Sequence, residues 1–298
     1  MGLILLCEAW KARPVMTDLD DVEAALAGGF LAGLPAAHGP AGTVLIADVD
    51  PAEVLQTWQA AYALPAATGR WPVLVADEWS DCYPRPDPDP KQPGLHELAT
   101  LDEAARTVDP WTRFRRWSDE DGPATADEVP SYARGYHGID LGEDILLQAP
   151  VPSTGRDLER WIYDRVLADP ELAARVRERV GYAVRTDYWF TPSSVTLTLL
   201  PTADPWLAAR WISFYGAEQN ERELAAVLWQ WHSRWDAHLV ASWGTMLQFG
   251  VERPPTPGND AWAAAGQILG LAGNLTMTRW ELAAALPGGA AWFIHNRP

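Results

Sequence analysis

At 298 residues and 48% hydrophobic content, the chain suffices for one large domain or two medium ones and can bury a core without disulfides. Its formal net charge of −17 repels phosphate backbones and argues against nucleic acid as a partner. No window reaches 18 apolar residues, which argues against a membrane span.

From the N-terminus, Gly2 to Cys7 is apolar but too short for a signal-peptide core, and no basic residue precedes it. Cys7 and Cys82 form no ligand or redox motif, which suits a reducing cytoplasm, the expected address. Thr43-Val44-Leu45-Ile46-Ala47 reads as a buried strand. Asp50 is placed to cap the next helix, with Pro51 at its first position. That helix runs to about Tyr62, with Leu55, Trp58 and Tyr62 on one face. Thr68-Gly69 then leads to a second strand, Trp71-Pro72-Val73-Leu74-Val75, far enough on for a crossover.

The middle of the chain is less regular. Pro84, Pro86, Pro88, Pro90 and Pro93 forbid a continuous helix or central strand. A helix is expected over Leu95 to Arg106, an acidic turn at Asp119-Glu120-Asp121-Gly122-Pro123, and a strand at Ile145-Leu146-Leu147. Residues 156–180 carry one or two Arg-rich helices broken at Pro170. A boundary within 120–190 would divide the chain into an acidic α/β region, 1–185, and a C-terminal domain, 186–298.

From Ser194 the pattern sharpens. Val195-Thr196-Leu197-Thr198-Leu199 alternates like a strand, and residues 221–235 form a helix with Leu224, Leu228 and Trp231 on its apolar face. His238 to Trp243 and Thr245 to Glu252 read as strands joined by a tight turn at Trp243-Gly244. A helix follows from Asp260 to Ala272. Thr278 and Glu281 have capping-box spacing, and the last strand is Ala291 to His295. Strands interleaved with helices, some antiparallel, predict an α+β fold: mixed sheets with helices packed on them. Ala52-x-Val54-Leu55-x-x-Trp58-x-x-x-Tyr62 also matches Ala225-x-Val227-Leu228-x-x-Trp231-x-x-x-Trp235. Two amphipathic helices obeying one packing rule would give this pattern, as would a duplicated unit.

The order Leu199-Leu200-Pro201-Thr202, Leu228-x-x-Trp231, Trp243-Gly244-Thr245, Val251-Glu252-Arg253-Pro254-Pro255 and Ala291-Trp292-Phe293-Ile294 resembles the bacterial DUF4253 family. The resemblance covers roughly residues 195–298, with a weaker echo in Thr68-Gly69-Arg70-Trp71-Pro72-Val73-Leu74. It implies an α/β layer domain at the C-terminus and almost no chemistry. Family members tend to carry a Gly-Gly-Trp-Asn type turn after the first C-terminal strand. Here that stretch reads Phe214-Tyr215-Gly216-Ala217-Glu218-Gln219-Asn220, so any function borne by the turn is altered or lost.

Candidate chemistry is sparse. The strand ending in Asp48-Val49-Asp50 resembles that of haloacid-dehalogenase phosphatases, but Pro51-Ala52 replaces their Gly-Thr. Those enzymes also need a positioned lysine, and only Lys11 and Lys91 are available. His96-Glu97-Leu98-Ala99-Thr100 lacks the second histidine of a zinc-protease helix. His232 and His238, six residues apart, would lie on different helical faces, so no metal site is expected there. Ser193, Ser194 and Ser242 sit in no nucleophile elbow, and no nucleotide-binding glycine loop is present. His137 reads as a surface-loop residue. No catalytic residue, cofactor or metal is expected.

Charge and aromatics point to binding instead. Residues 194–298 hold 8 acids and 6 arginines, so −15 of the net −17 falls in residues 1–193, a region suited to a basic protein partner. The 17 tryptophans outnumber Phe and Tyr together. Burying one removes roughly 150–250 Å², about 4–6 kcal/mol of transfer free energy at ~25 cal/mol/Å². Trp206, Trp211, Tyr215, Trp229 and Trp235 crowd together with Glu218, Asn220 and Arg222, the composition of a binding hot spot, or of rings closing over a sheet edge. The expected function is a protein-binding module of interaction or immunity type. The alternative is an enzyme acting on a small molecule in a pocket between helix 221–235 and the upstream region.

Overall fold

The computed structural model describes residues 15–76, 91–114 and 122–297. Cys7, Lys11, Cys82, Pro84, Pro86, Pro88, Pro90 and the acids 119–121 lie outside the described residues. The helices are α1 (Leu19–Leu26), α2 (Val54–Tyr62), α3 (Pro65–Thr68), α4 (Leu95–Thr107), α5 (Val129–Arg134), α6 (Glu143–Leu146), α7 (Gly155–Ala168), α8 (Pro170–Val180), α9 (Glu221–Trp235), α10 (Asn259–Leu271) and α11 (Arg279–Ala285). The strands are β1 (Ala36–His38), β2 (Val44–Val49), β3 (Trp71–Ala76), β4 (Pro123–Ala124), β5 (Ser153–Thr154), β6 (Val195–Leu200), β7 (Ala237–Ser242), β8 (Met246–Val251) and β9 (Ala291–His295).

Local chemistry sets most boundaries. Asp50 Oδ1 accepts from Ala52 N at 2.8 Å, which caps the 3₁₀ turn Pro51–Glu53 that leads into α2. Asp169 accepts from Glu171 N and Leu172 N, so Pro170 starts α8 where it breaks α7. The capping box at Thr278 and Glu281 forms as the spacing predicts. Ile145-Leu146-Leu147 departs from expectation and belongs to the one-turn helix α6 and its cap, not to a strand. Gly142 at φ 87° turns the chain there, and Glu143 and Asp144 favour the positive end of the helix dipole.

Seven strands form one mixed sheet in the order β1-β2-β6-β3-β7-β8-β9, and β4 and β5 pair separately. β6 lies antiparallel between β2 and β3, so the β2–α2–β3 crossover spans a strand contributed from later in the chain. The sheet therefore runs across the expected 185/186 division, with strands from both sides alternating within it. The Trp243-Gly244 hairpin is present, with Gly244 at φ 76°.

The core is built around tryptophan. Trp231, Trp243, Trp280 and Trp292 are fully buried, and Trp231 meets Phe249 and Trp292 edge-on at centroid distances of 5.2 and 5.1 Å. These contacts seat α9 against β8 and β9. α4 packs on α9, while α7, α8, α10 and α11 pack on one another. Among the described residues, no helix is long and apolar enough to cross a membrane.

Candidate functional site

Two helix–strand units meet at one end of the sheet. β3 and β7 are parallel neighbours with Leu74 level with Ala241, which places Trp71 level with His238 three residues back. α2 delivers its last residue, Tyr62, to this end, where its ring stacks on Trp58 at 4.8 Å and meets the edge of Trp71 at 5.6 Å. α9 stops here because Asp236 takes left-handed backbone angles (φ 52°, ψ 41°), a conformation Asp tolerates. Asp236 N donates to His232 O, and Glu252 N donates to Asp236 O, fixing the turn. The chain then reverses into β7, so His238 folds back beside His232 with ring centroids 5.2 Å apart.

The result is a compact polar cluster. His238 Nε2 lies 2.9 Å from the Tyr62 hydroxyl and 3.2 Å from Asp236 Oδ1. His232 Nδ1 lies 3.8 Å from the same Asp236 oxygen, and Arg253 Nε lies 3.7 Å from Asp236 Oδ2. Burial lowers the His232 pKa, and the charge of Arg253 adds to this against the pull of Asp236. The His238 pKa is lowered too, first by burial and then by His232, so both rings are neutral at pH 7. Burial, then Asp236 and Glu252, push the Tyr62 hydroxyl up to about 12. Imidazole nitrogens beside a carboxylate can hold a proton or a cation.

This cluster corrects the expectation of no such grouping. Helical spacing was the wrong geometry for His232 and His238, because α9 ends between them. The expected helix end at 235 and strand start at 238 agree with α9 and, within one residue, with β7. The missing signal was the tight reversal that an Asp in left-handed conformation allows.

The expected aromatic hot spot does not form a single exposed surface. Trp206 and Trp235 are buried, and Trp211, Tyr215, Asn220 and Trp229 are half-buried. Glu218 and Arg222 are exposed. The indole N–H groups point at protein acceptors: Trp206 at Asp102 Oδ1 (2.8 Å), Trp211 at Ala41 O (3.2 Å) and Trp235 at the Asp260 carboxylate (3.2 Å). Arg106 covers Trp206 at 4.9 Å, and Asn220 accepts from Arg113 Nε at 3.0 Å. Trp206 and Trp229 join α4 and the 205–210 turn to α9, Trp211 reaches the turn at Ala41 and Trp235 ties α9 to α10, and large side chains used this way have little surface left for a partner. Trp229 and Trp235 do border an open groove of about 290 Å³ with Gln230, Ser233, Arg234 and Gln267. The residues that line it include no carboxylate and no imidazole.

His137 also departs from expectation. Its Nδ1 lies 2.9 Å from Glu281 Oε1 and its Nε2 2.7 Å from the Tyr182 hydroxyl. Glu281 is fully buried and accepts from Thr278 N, Thr278 Oγ1, Tyr136 N and His137 N. A carboxylate so fully engaged caps α11 and ties down the 135–137 loop.

The acidic character of the N-terminal region is concentrated on its surface. Residues 15–69 contain no lysine or arginine, and their acids Asp18, Asp20, Asp21, Glu23, Asp48, Asp50 and Glu53 are all exposed. Arg70, the first described basic residue, is buried and donates to Met16 O, Gly42 O and Leu199 O. Its guanidinium is used in the fold, on backbone carbonyls. α1, which carries three of them and is capped by Asp18, packs against β1, the end of the sheet among the described residues.

Residues 196–295 match the family model described as "Domain of unknown function (DUF4253)". No curated protein and no solved structure matches the chain.

Proposed function

We propose that this chain, which carries a DUF4253 domain at residues 196–295, is a protein-binding module that receives an extended basic segment of a partner on the surface of residues 15–69. The observation that carries this reading is a segment of one sign: seven exposed acids with no lysine or arginine in the same 55 residues. A field of one sign raises the encounter rate with an oppositely charged protein and repels nucleic acid.

β1 supports the extended form of the ligand. Gly39 N donates to Thr43 O and Ala47 N donates to Pro35 O, so alternate residues of β1 face β2. Ala36 and His38 then direct their backbone groups to the outer side, where an added strand would bond.

The test is a titration of the full chain with a labelled octapeptide of alternating Arg and Ser, read by fluorescence anisotropy. Glu23→Arg with Glu53→Arg is expected to weaken binding at least tenfold. The same charge change at Glu171 and Glu178 on α8, away from this surface in sequence, is expected to leave it within twofold. Equal losses in both variants would mean attraction to net charge alone and would refute the reading.

A further inference from the structure

We infer that His232, Asp236 and His238 form a binding site for a single divalent transition-metal ion of the zinc type. Their donor atoms all lie within 4.8 Å of one another. Ligands held ~2.0–2.1 Å from a tetrahedral zinc ion are about 3.3 Å apart. The separations of Asp236 Oδ1 from His238 Nε2 (3.2 Å) and from His232 Nδ1 (3.8 Å) bracket that edge. The longer one is too far for a hydrogen bond, and His232 Nδ1 is a buried nitrogen with no hydrogen-bond partner. A shared cation would satisfy it; a buried polar atom left alone costs roughly 1–3 kcal/mol.

The surroundings fit an ion entering from solvent. The His238 side chain is 4% exposed and forms the floor, while His232 (30%) and Asp236 (38%) open to water. His232 is braced by Trp206 at 5.7 Å and His238 by Trp71 at 5.7 Å, so the rings are held in place before an ion arrives. Arg253 approaches Asp236 Oδ2 and leaves Oδ1 to the ion. Its positive charge opposes the cation and lowers the affinity. The Tyr62 hydroxyl exchanges its contact with His238 Nε2 for one with a metal-bound water at the fourth position. Two imidazoles and one carboxylate favour zinc over magnesium or calcium, which require mostly oxygen ligands.

The test uses the full chain after chelator treatment and desalting, titrated calorimetrically with zinc chloride at pH 7.5. One zinc per chain is expected, with no heat from magnesium or calcium. Asp236→Asn is the primary variant, because Asn accepts the same left-handed backbone. Its affinity is expected to fall at least tenfold while circular dichroism and the thermal melt stay those of a folded chain. His232→Gln, at a partly exposed position, is expected to act alike. Cobalt should give visible bands without the near-ultraviolet thiolate charge-transfer band. Zinc binding that Asp236→Asn and His232→Gln leave unchanged, a thiolate band pointing to a cysteine, or no stoichiometric binding would each overturn the inference.

Discussion

Tyr62 and His238, 176 residues apart in sequence, meet through a contact of 2.9 Å between the phenol oxygen and Nε2. The contact joins the end of α2 to the start of β7, so it couples the early and late halves of the sheet. Tyr62→Phe removes the hydroxyl and keeps the ring stacked on Trp58. A loss of about 0.5–1.5 kcal/mol in urea unfolding is expected. No loss would mean that the polar contact contributes nothing beyond ring packing.

The imidazole pair fixes the direction of a pH response. Both histidines have folded-state pKa values lowered from the ordinary ~6.5, so the unfolded chain binds more protons below that pH. Stability is then fully present above about pH 6.5 and declines as pH falls toward the lowered folded values. Unfolding midpoints between pH 7.5 and 4.5 measure this. The decline is expected to be shallower in His232→Gln, which removes one of the two groups; an unchanged slope would place the titration elsewhere.

Glu281 carries a larger structural burden. Glu281→Gln places an amide N–H₂ where a carboxylate oxygen accepts from several donors, and a loss of about 2–3 kcal/mol is expected. Gly135→Ala tests the same junction from the other side. Its φ is +56°, and an added Cβ would stand 2.4 Å from Glu281 Oε1. Destabilisation above about 1 kcal/mol is expected by denaturant titration.

The tryptophan region separates structure from recognition. Trp235→Phe deletes the N–H bond to Asp260 and is expected to cost about 1–2 kcal/mol of stability. Affinity for the basic octapeptide should stay within twofold. A tenfold loss of affinity in a folded Trp235→Phe protein would return the binding surface to the α9 groove.

Much of the fold was legible because local rules set it. α9, β9, the Gly244 hairpin and the Thr278 capping box lie where periodicity and cap chemistry placed them. α6 was misread because three apolar residues cannot distinguish a helical turn from a strand. The insertion of β6 between β2 and β3 left no sequence mark, since strand order is a long-range property. The aromatic crowd at 206–235 was visible, but spacing could not show that its indole nitrogens face Asp102, Ala41 and Asp260. The His232–Asp236–His238 cluster was missed because one left-handed residue cancels helical spacing, and Tyr62 comes from a different segment altogether.

The most direct measurement is hydrogen exchange on the full chain with and without the basic octapeptide. If the acidic N-terminal surface is the docking face, protection should rise at Ala36, His38 and α1 and remain unchanged along α9 and α10. Protection confined to the groove between Trp229 and Gln267, with β1 unaffected, would contradict it.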